Sequence, residues 1–116
     1  MIAEPETRQE CLKSLMAIRD SLDAISGKWK LQIIIAVWAG NKRFKDIERQ
    51  IPNISPRMLS KELKDLEEQK LLKRNVYDTL PVTIEYTATQ HAESLRGVIS
   101  VLRDWGIEHR KVIIGR

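Results

Sequence analysis

With 116 residues, 42% of them apolar, and a formal charge of +4, the chain suits one compact domain that buries roughly two thirds of its unfolded surface, and a second domain does not fit. Its opening residues, MIAEPETRQE, lack the apolar core of a secretory signal, and its longest apolar run, LQIIIAVWA, is about half what a bilayer crossing needs, so a soluble, cytoplasmic protein without membrane contact is expected. A single cysteine, Cys11, excludes an intrachain disulfide framework. With only His91 and His109 beside it, no metal or cofactor site is expected.

The charge is informative once it is located. Residues 1–41 hold five Lys/Arg and five Asp/Glu, residues 42–75 ten and six, and residues 76–116 five and five. All of the excess lies in the middle third. Nucleic acid is the commonest partner of such a basic block; a solvated surface laced with ion pairs is the alternative.

From Glu10 to Ile25, the residues Cys11, Leu15, Ile18, Leu22 and Ile25 recur at spacings of four and three. That predicts a helix over 10–25 whose narrow apolar seam wants a partner. Ser26 and Gly27 break the pattern, and Ser26 is expected to cap a second helix over about 28–39, closed by Gly40. The run Ile33-Ile34-Ile35 could pass for a buried strand, but segment length and caps favour a central helix, apolar on most sides. A short third helix follows in RFKDIERQIP, with Phe44, Ile47 and Ile51 on one side and Pro52 ending it. Only PNI then precedes Ser55, which is placed to cap the next helix with Pro56 at its first position. Two short helices joined this way form a helix-turn-helix, over about 44–69.

At about 100° per residue, Leu59, Leu63 and Leu66 fall in one narrow sector, and Arg57, Lys61 and Lys64 nearly opposite. The second helix of a helix-turn-helix lies in the major groove with its N-terminal residues nearest the base edges. Arg57 is then placed for guanine N7 and O6, Ser60 can donate or accept, and Lys61 and Lys64 reach bases or phosphates. Glu68, on the same face two turns on, would repel phosphate and is expected beyond the groove. An ordinary amphipathic surface helix, with pairs such as Lys61–Asp65, is the competing reading.

After Leu72 the period becomes alternating. LKRNVY and VTIEYT flank DTLP, predicting a hairpin over 72–87 with Leu72, Val76, Ile84 and Tyr86 inward, and Lys73 and Arg74 near its base. A helix-turn-helix followed at once by a hairpin is a winged helix, mainly α, whose wing tip would lie on the sugar–phosphate backbone. Thr89 then caps a long final helix over about 90–111, with Leu95, Val98, Ile99, Leu102 and Trp105 on one side.

The ordered combination GKWKLQII, GxxRFxDI from Gly40 to Ile47, ISxRMLSKELKDLE, LLxRxVY, PxTxEY and WGxxHR resembles the HxlR-type winged helix-turn-helix family of bacterial transcriptional regulators, over about Asp23 to Arg110. The resemblance implies a homodimer built chiefly from the first and last helices, on a pseudo-palindromic operator. Leu15, Ile18, Leu22, Leu102 and Trp105 are the candidate interface residues. By position, Arg57, Ser60, Lys61 and Lys64 match the family's recognition helix, Arg43 lies before its supporting helix, and Pro81 matches its wing. With Ser55, Lys73 and Arg74, these form the candidate contact set for double-stranded DNA.

The sequence also departs from that family. Members that sense oxidants or electrophiles often carry a cysteine nearer to GKW than Cys11, and Met16 stands in that neighbourhood. Ala88 and Ala92 stand where leucine and glycine are frequent, which bears on packing around the last helix. Cys11 itself reads either as a small hydrophobe in the seam or as a thiol whose oxidation would alter half-site spacing.

Other features carry less. Gly27-Lys28 lacks the glycine spacing and hydroxyl of a phosphate loop. Trp29, Trp38 and Trp105 read as core or interface anchors. His91 and His109 are eighteen residues apart, and the consecutive Glu67 and Glu68 point in different directions. No enzyme site emerges. A winged helix used for protein contact, or a redox-responsive regulator using Cys11, remains as an alternative.

Overall fold

A computed structural model describes residues 7–116. Residues 1–6, part of the stretch read above for a secretory signal, lie outside the described residues. The elements run α1 (Arg8–Ile25), α2 (Lys30–Trp38), α3 (Phe44–Gln50), α4 (Pro56–Glu68), β1 (Leu72–Tyr77), β2 (Thr83–Ala88), α5 (Gln90–Glu93) and α6 (Leu95–Ile114).

A capping box opens α1. The Glu10 N–H donates to Thr7 Oγ1 at 3.1 Å and the Thr7 N–H to Glu10 Oε2 at 3.3 Å, satisfying two otherwise orphaned donors. Ser26 departs from its expected role. Its N–H donates to the Leu22 carbonyl at 2.7 Å, so it closes α1 instead of capping α2. Gly27, at φ +95°, makes the reversal that only glycine takes cheaply. The second helix therefore starts later than expected, at Lys30, with no side-chain cap.

That second helix is the centre of the fold. Ile33, Ile34, Ala36 and Val37 are buried against Ile47 of α3 and Leu59, Leu63 and Leu66 of α4; only Ile35 of the isoleucine run is exposed. The turn between α3 and α4 is itself part of the core, because Ile51 and Ile54 are buried on either side of Asn53, which takes the left-handed φ of +70°. Each fully buried Leu or Ile contributes about 1.5–3 kcal/mol over exposure, so these contacts fix α3 and α4 relative to one another.

The hairpin pairs Leu72 with Ala88, Arg74 with Tyr86 and Val76 with Ile84. Its base is anchored, since Leu72 is buried and Tyr86 packs against the core, and the Tyr86 N–H donates to the Lys42 carbonyl at 2.7 Å. The expected inward position of Val76 is corrected: it is 54% exposed. Val76 shares a face with Leu72 but lies four residues further toward the tip, and it is the base of the hairpin, with Leu72, Tyr86 and Ala88, that packs against the core.

Thr89 joins three elements. Its hydroxyl donates to the Lys70 carbonyl at 2.7 Å and accepts from the Ala92 N–H at 3.1 Å. The single final helix expected over 90–111 is instead two. At Ser94 both the N–H (3.1 Å) and the hydroxyl (2.6 Å) donate to the His91 carbonyl, tightening the turn and interrupting the regular ladder. The second piece continues to Ile114. Trp38 packs on the core with the Arg96 guanidinium 4.1 Å from its ring centroid, whereas Trp105 is exposed and stacks on His109 at 4.7 Å.

No residue of α1 or α6 is buried, and Leu15, Ile18, Leu22, Leu102 and Trp105 are all about half exposed or more. Among the described residues no helix is long and apolar enough to cross a membrane. The architecture is a winged helix-turn-helix, mainly α with one small antiparallel hairpin, flanked by two long helices with open apolar sides.

Candidate nucleic-acid interface

The geometry of α4 follows from its first residues. Ser55 Oγ accepts from the Met58 N–H at 3.1 Å, and Pro56 occupies the first turn, where its missing N–H costs nothing. With Leu59, Leu63 and Leu66 turned into the core, Arg57, Ser60, Lys61 and Lys64 are exposed on the other side. Arg57 and Lys64 form no ion pair among the described residues, which leaves both charges available to a partner.

Lys61 is different. Its Nζ lies 3.3 Å from Asp65 Oδ2 and 3.6 Å from Glu62 Oε1. Behind it, Lys30 Nζ lies 2.8 Å from Glu62 Oε2 and 3.5 Å from Asp65 Oδ2. The result is a cluster of two ammoniums and two carboxylates in alternation. Its hydrogen bond to Asp65, with the charges of Asp65 and Glu62, raises the Lys61 pKa above its usual value. Burial pushes the Asp65 carboxyl up, but the hydrogen bond and charge of Lys61, aided by Lys30, outweigh it and hold Asp65 below its usual value.

Glu62 is 6% exposed, and sequence reading missed it. The signal was present: Leu59, Glu62, Leu63 and Leu66 sit at i, i+3, i+4 and i+7, so Glu62 occupies one position of the apolar stripe. A charge there requires a buried partner, and Lys30, at the start of the most apolar helix, supplies it.

The hairpin divides the two cations at its base. Arg74 sits opposite Tyr86 and Lys73 opposite Thr87, so they point to opposite faces. Arg74 shares a groove of about 400 Å³ with Ser60, Lys64, Glu67 and Tyr86; Lys73 does not line it. Arg43, just before α3, has its guanidinium 3.8 Å from Glu85 of β2. Pro81 lies at the hairpin tip, where Thr79 Oγ1 donates to its carbonyl at 2.7 Å and lies 2.7 Å from the Thr83 hydroxyl. The tip carries Asp78 and the fully exposed Leu80 but no Lys or Arg. Glu68 is exposed at the last turn of α4.

Cys11 is exposed on α1. Among the described residues no group of His, Cys, Asp and Glu could hold a metal ion.

The characteristic sequence pattern of the HxlR-like helix-turn-helix proteins matches residues 24–113. The chain belongs to the HxlR-like family. It is 33% identical over 100 residues to the HTH-type transcriptional regulator YtcD of Bacillus subtilis (strain 168), covering 86% of this chain and 79% of YtcD. The crystal structure of ytcD superposes with a TM-score of 0.75 at 35% identity, over 79% of this chain and 94% of the other. The structure of the redoxregulator HypR in its reduced form superposes with a TM-score of 0.78 at 32% identity, over 86% and 99%. The HxlR-like chain is thus a transcriptional regulator with a helix-turn-helix domain.

Proposed function

We propose that this HxlR-like regulator acts in the cytoplasm as a homodimer that reads a pseudo-palindromic DNA operator. The helix-turn-helix over about 44–69 engages the major groove through α4, and the wing over about 72–87 lies along the adjacent backbone. The observation that carries the reading is the outward face of α4, where Arg57 and Lys64 are exposed and unpaired among the described residues, on a helix locked from behind by three buried leucines. Arg57, in the first turn, reads a base edge. Ser60 and Lys61 lie one turn deeper, and Ser55 sits at the helix N-terminus, where partial positive charge suits phosphate. Lys64 and Arg74 line one groove and follow the backbone between major groove and wing. Arg43 and Pro81 flank that path, with Lys73 at the outer face.

The dimer reading rests on the open apolar sides of α1 and α6. Leu15, Ile18 and Leu22 on one helix and Leu102 and Trp105 on the other leave in water a surface that a second copy would cover. Enrichment from a pool of random duplexes tests the reading: it predicts an inverted repeat with half-sites one helical turn or a multiple apart. A pool without an enriched motif favours a protein-contact role for the same face.

The exposure of Cys11 and the likeness to the redoxregulator HypR favour a second reading, in which oxidation of the thiol on α1 alters the dimer. Diamide-insensitive DNA binding by wild type and Cys11→Ser alike would remove it.

A further inference from the structure

Resting on the DNA-binding reading above, we propose that Asp65 is a specificity-determining residue: it holds the Lys61 ammonium off the phosphates, and so weakens binding to duplexes of arbitrary sequence more than binding to the operator.

A lone lysine is a poor reader of sequence. Its ammonium is a compact, mobile charge that any phosphate satisfies, and phosphate contacts carry no sequence information. Lys61 is not alone. Asp65 and Glu62 hold it at 3.3 and 3.6 Å, and both carboxylates are in turn held from behind by Lys30, at 3.5 and 2.8 Å. Lys30 has a side chain only 11% exposed and is rooted in the central helix. The acceptors are thus tied to the central helix as well as to Lys61, Glu62 closely at 2.8 Å and Asp65 more loosely at 3.5 Å, unlike those of a simple surface pair. A phosphate approaching Lys61 must also approach the partly exposed carboxylate of Asp65, which repels it.

A base pair presents something else. Its major-groove edge places hydrogen-bond donors beside acceptors, whereas a phosphate offers acceptors only. The Lys61–Asp65 pair, a donor beside an acceptor, complements the first and not the second. The cluster thus converts a charge that would serve affinity for any duplex into one that serves discrimination.

The test measures binding of the full chain to its selected operator and to a scrambled duplex of equal length, across a range of salt. Wild type, Asp65→Asn, Asp65→Glu, Lys61→Met and the double variant Lys61→Met with Asp65→Asn are compared. Asp65→Asn leaves Glu62 paired with Lys30 at 2.8 Å; Asp65→Glu keeps the carboxylate and should behave as wild type. In Asp65→Asn, Lys61 keeps only Glu62, at 3.6 Å, a carboxylate shared with Lys30, and should add about one phosphate contact per protomer, steepening the salt dependence on the scrambled duplex by about 0.9 per protomer. For a dimer that is roughly a twelvefold greater loss of affinity between about 50 and about 200 mM salt. The operator-to-scrambled ratio should fall, and the change should vanish in the double variant. Equal tightening on both duplexes, an unaltered salt slope, or a gain that survives Lys61→Met overturns the proposal while leaving DNA binding intact. A wild type that binds no duplex overturns the DNA-binding reading itself, and this proposal with it.

Discussion

Lys30 Nζ of α2 lies 2.8 Å from Glu62 Oε2 of α4, with both side chains about nine-tenths buried. Through this contact the central helix fastens the helix that presents the cationic face. Removing one partner leaves the other with only a longer contact, Lys30 with Asp65 at 3.5 Å or Glu62 with Lys61 at 3.6 Å. Glu62→Ala should lower the unfolding free energy by up to about 3–5 kcal/mol in urea titrations at fixed protein concentration, because it leaves the buried Lys30 ammonium with only the more distant, partly exposed Asp65 carboxylate, at 3.5 Å. Replacing both, as Lys30→Met with Glu62→Met, should recover most of that loss. A double variant as unstable as the single one would mean that the pair contributes something other than mutual neutralisation.

The same cluster has an acid limit. Asp65 is held below its usual 3.8, so it binds fewer protons folded than unfolded at low pH. Its contribution is full above that value and is lost as pH falls through the lower, folded one. Thermal melts of wild type should therefore lose stability below about pH 4 more steeply than those of Asp65→Asn. Parallel profiles would remove Asp65 from the account of acid sensitivity.

The hairpin base separates two arginine-lysine roles. Arg74 lines the groove with Lys64 and Ser60 while Lys73 faces away. Arg74→Ala should weaken binding to all duplexes to a similar degree and reduce the salt slope by about 1 per protomer; Lys73→Ala should do less of both. The reverse order in binding titrations would place DNA on the other face of the wing.

Dimerisation is testable on α1 and α6. Ile18→Glu or Trp105→Glu puts a charge on a side that is apolar and open in one copy. Sedimentation should show dimer for wild type at micromolar concentration and monomer for either variant. A monomeric wild type would contradict the symmetric-operator reading too.

Much of this could be read from the sequence for a simple reason. Helical phase alone puts Leu59, Leu63 and Leu66 on one side and Arg57 and Lys64 on the other, and local chemistry alone places Ser55 and Thr89 at helix starts, where the structure has them. What escaped depends on tertiary distance. Val76 alternates correctly, but only the base of the hairpin packs against the core. Ser26 has the right chemistry for an N-cap, and the turn at Gly27 puts it at the other helix. Ser94 breaks the last helix through a competition for the His91 carbonyl that no periodicity reports. The pairing of Lys30 with Glu62 joins residues thirty-two positions apart, and only the misplaced charge in the leucine stripe hinted at it.

The central claim is that the exposed face of α4 reads base sequence. The most direct measurement is parallel selection from one random duplex pool by wild type and Arg57→Ala, followed by sequencing of the bound fraction. The prediction is an inverted repeat for wild type, and for Arg57→Ala the same repeat with preference relaxed chiefly at one base position in each half-site, worth about 1–3 kcal/mol. Identical motifs from the two proteins, or no motif from either, would contradict it.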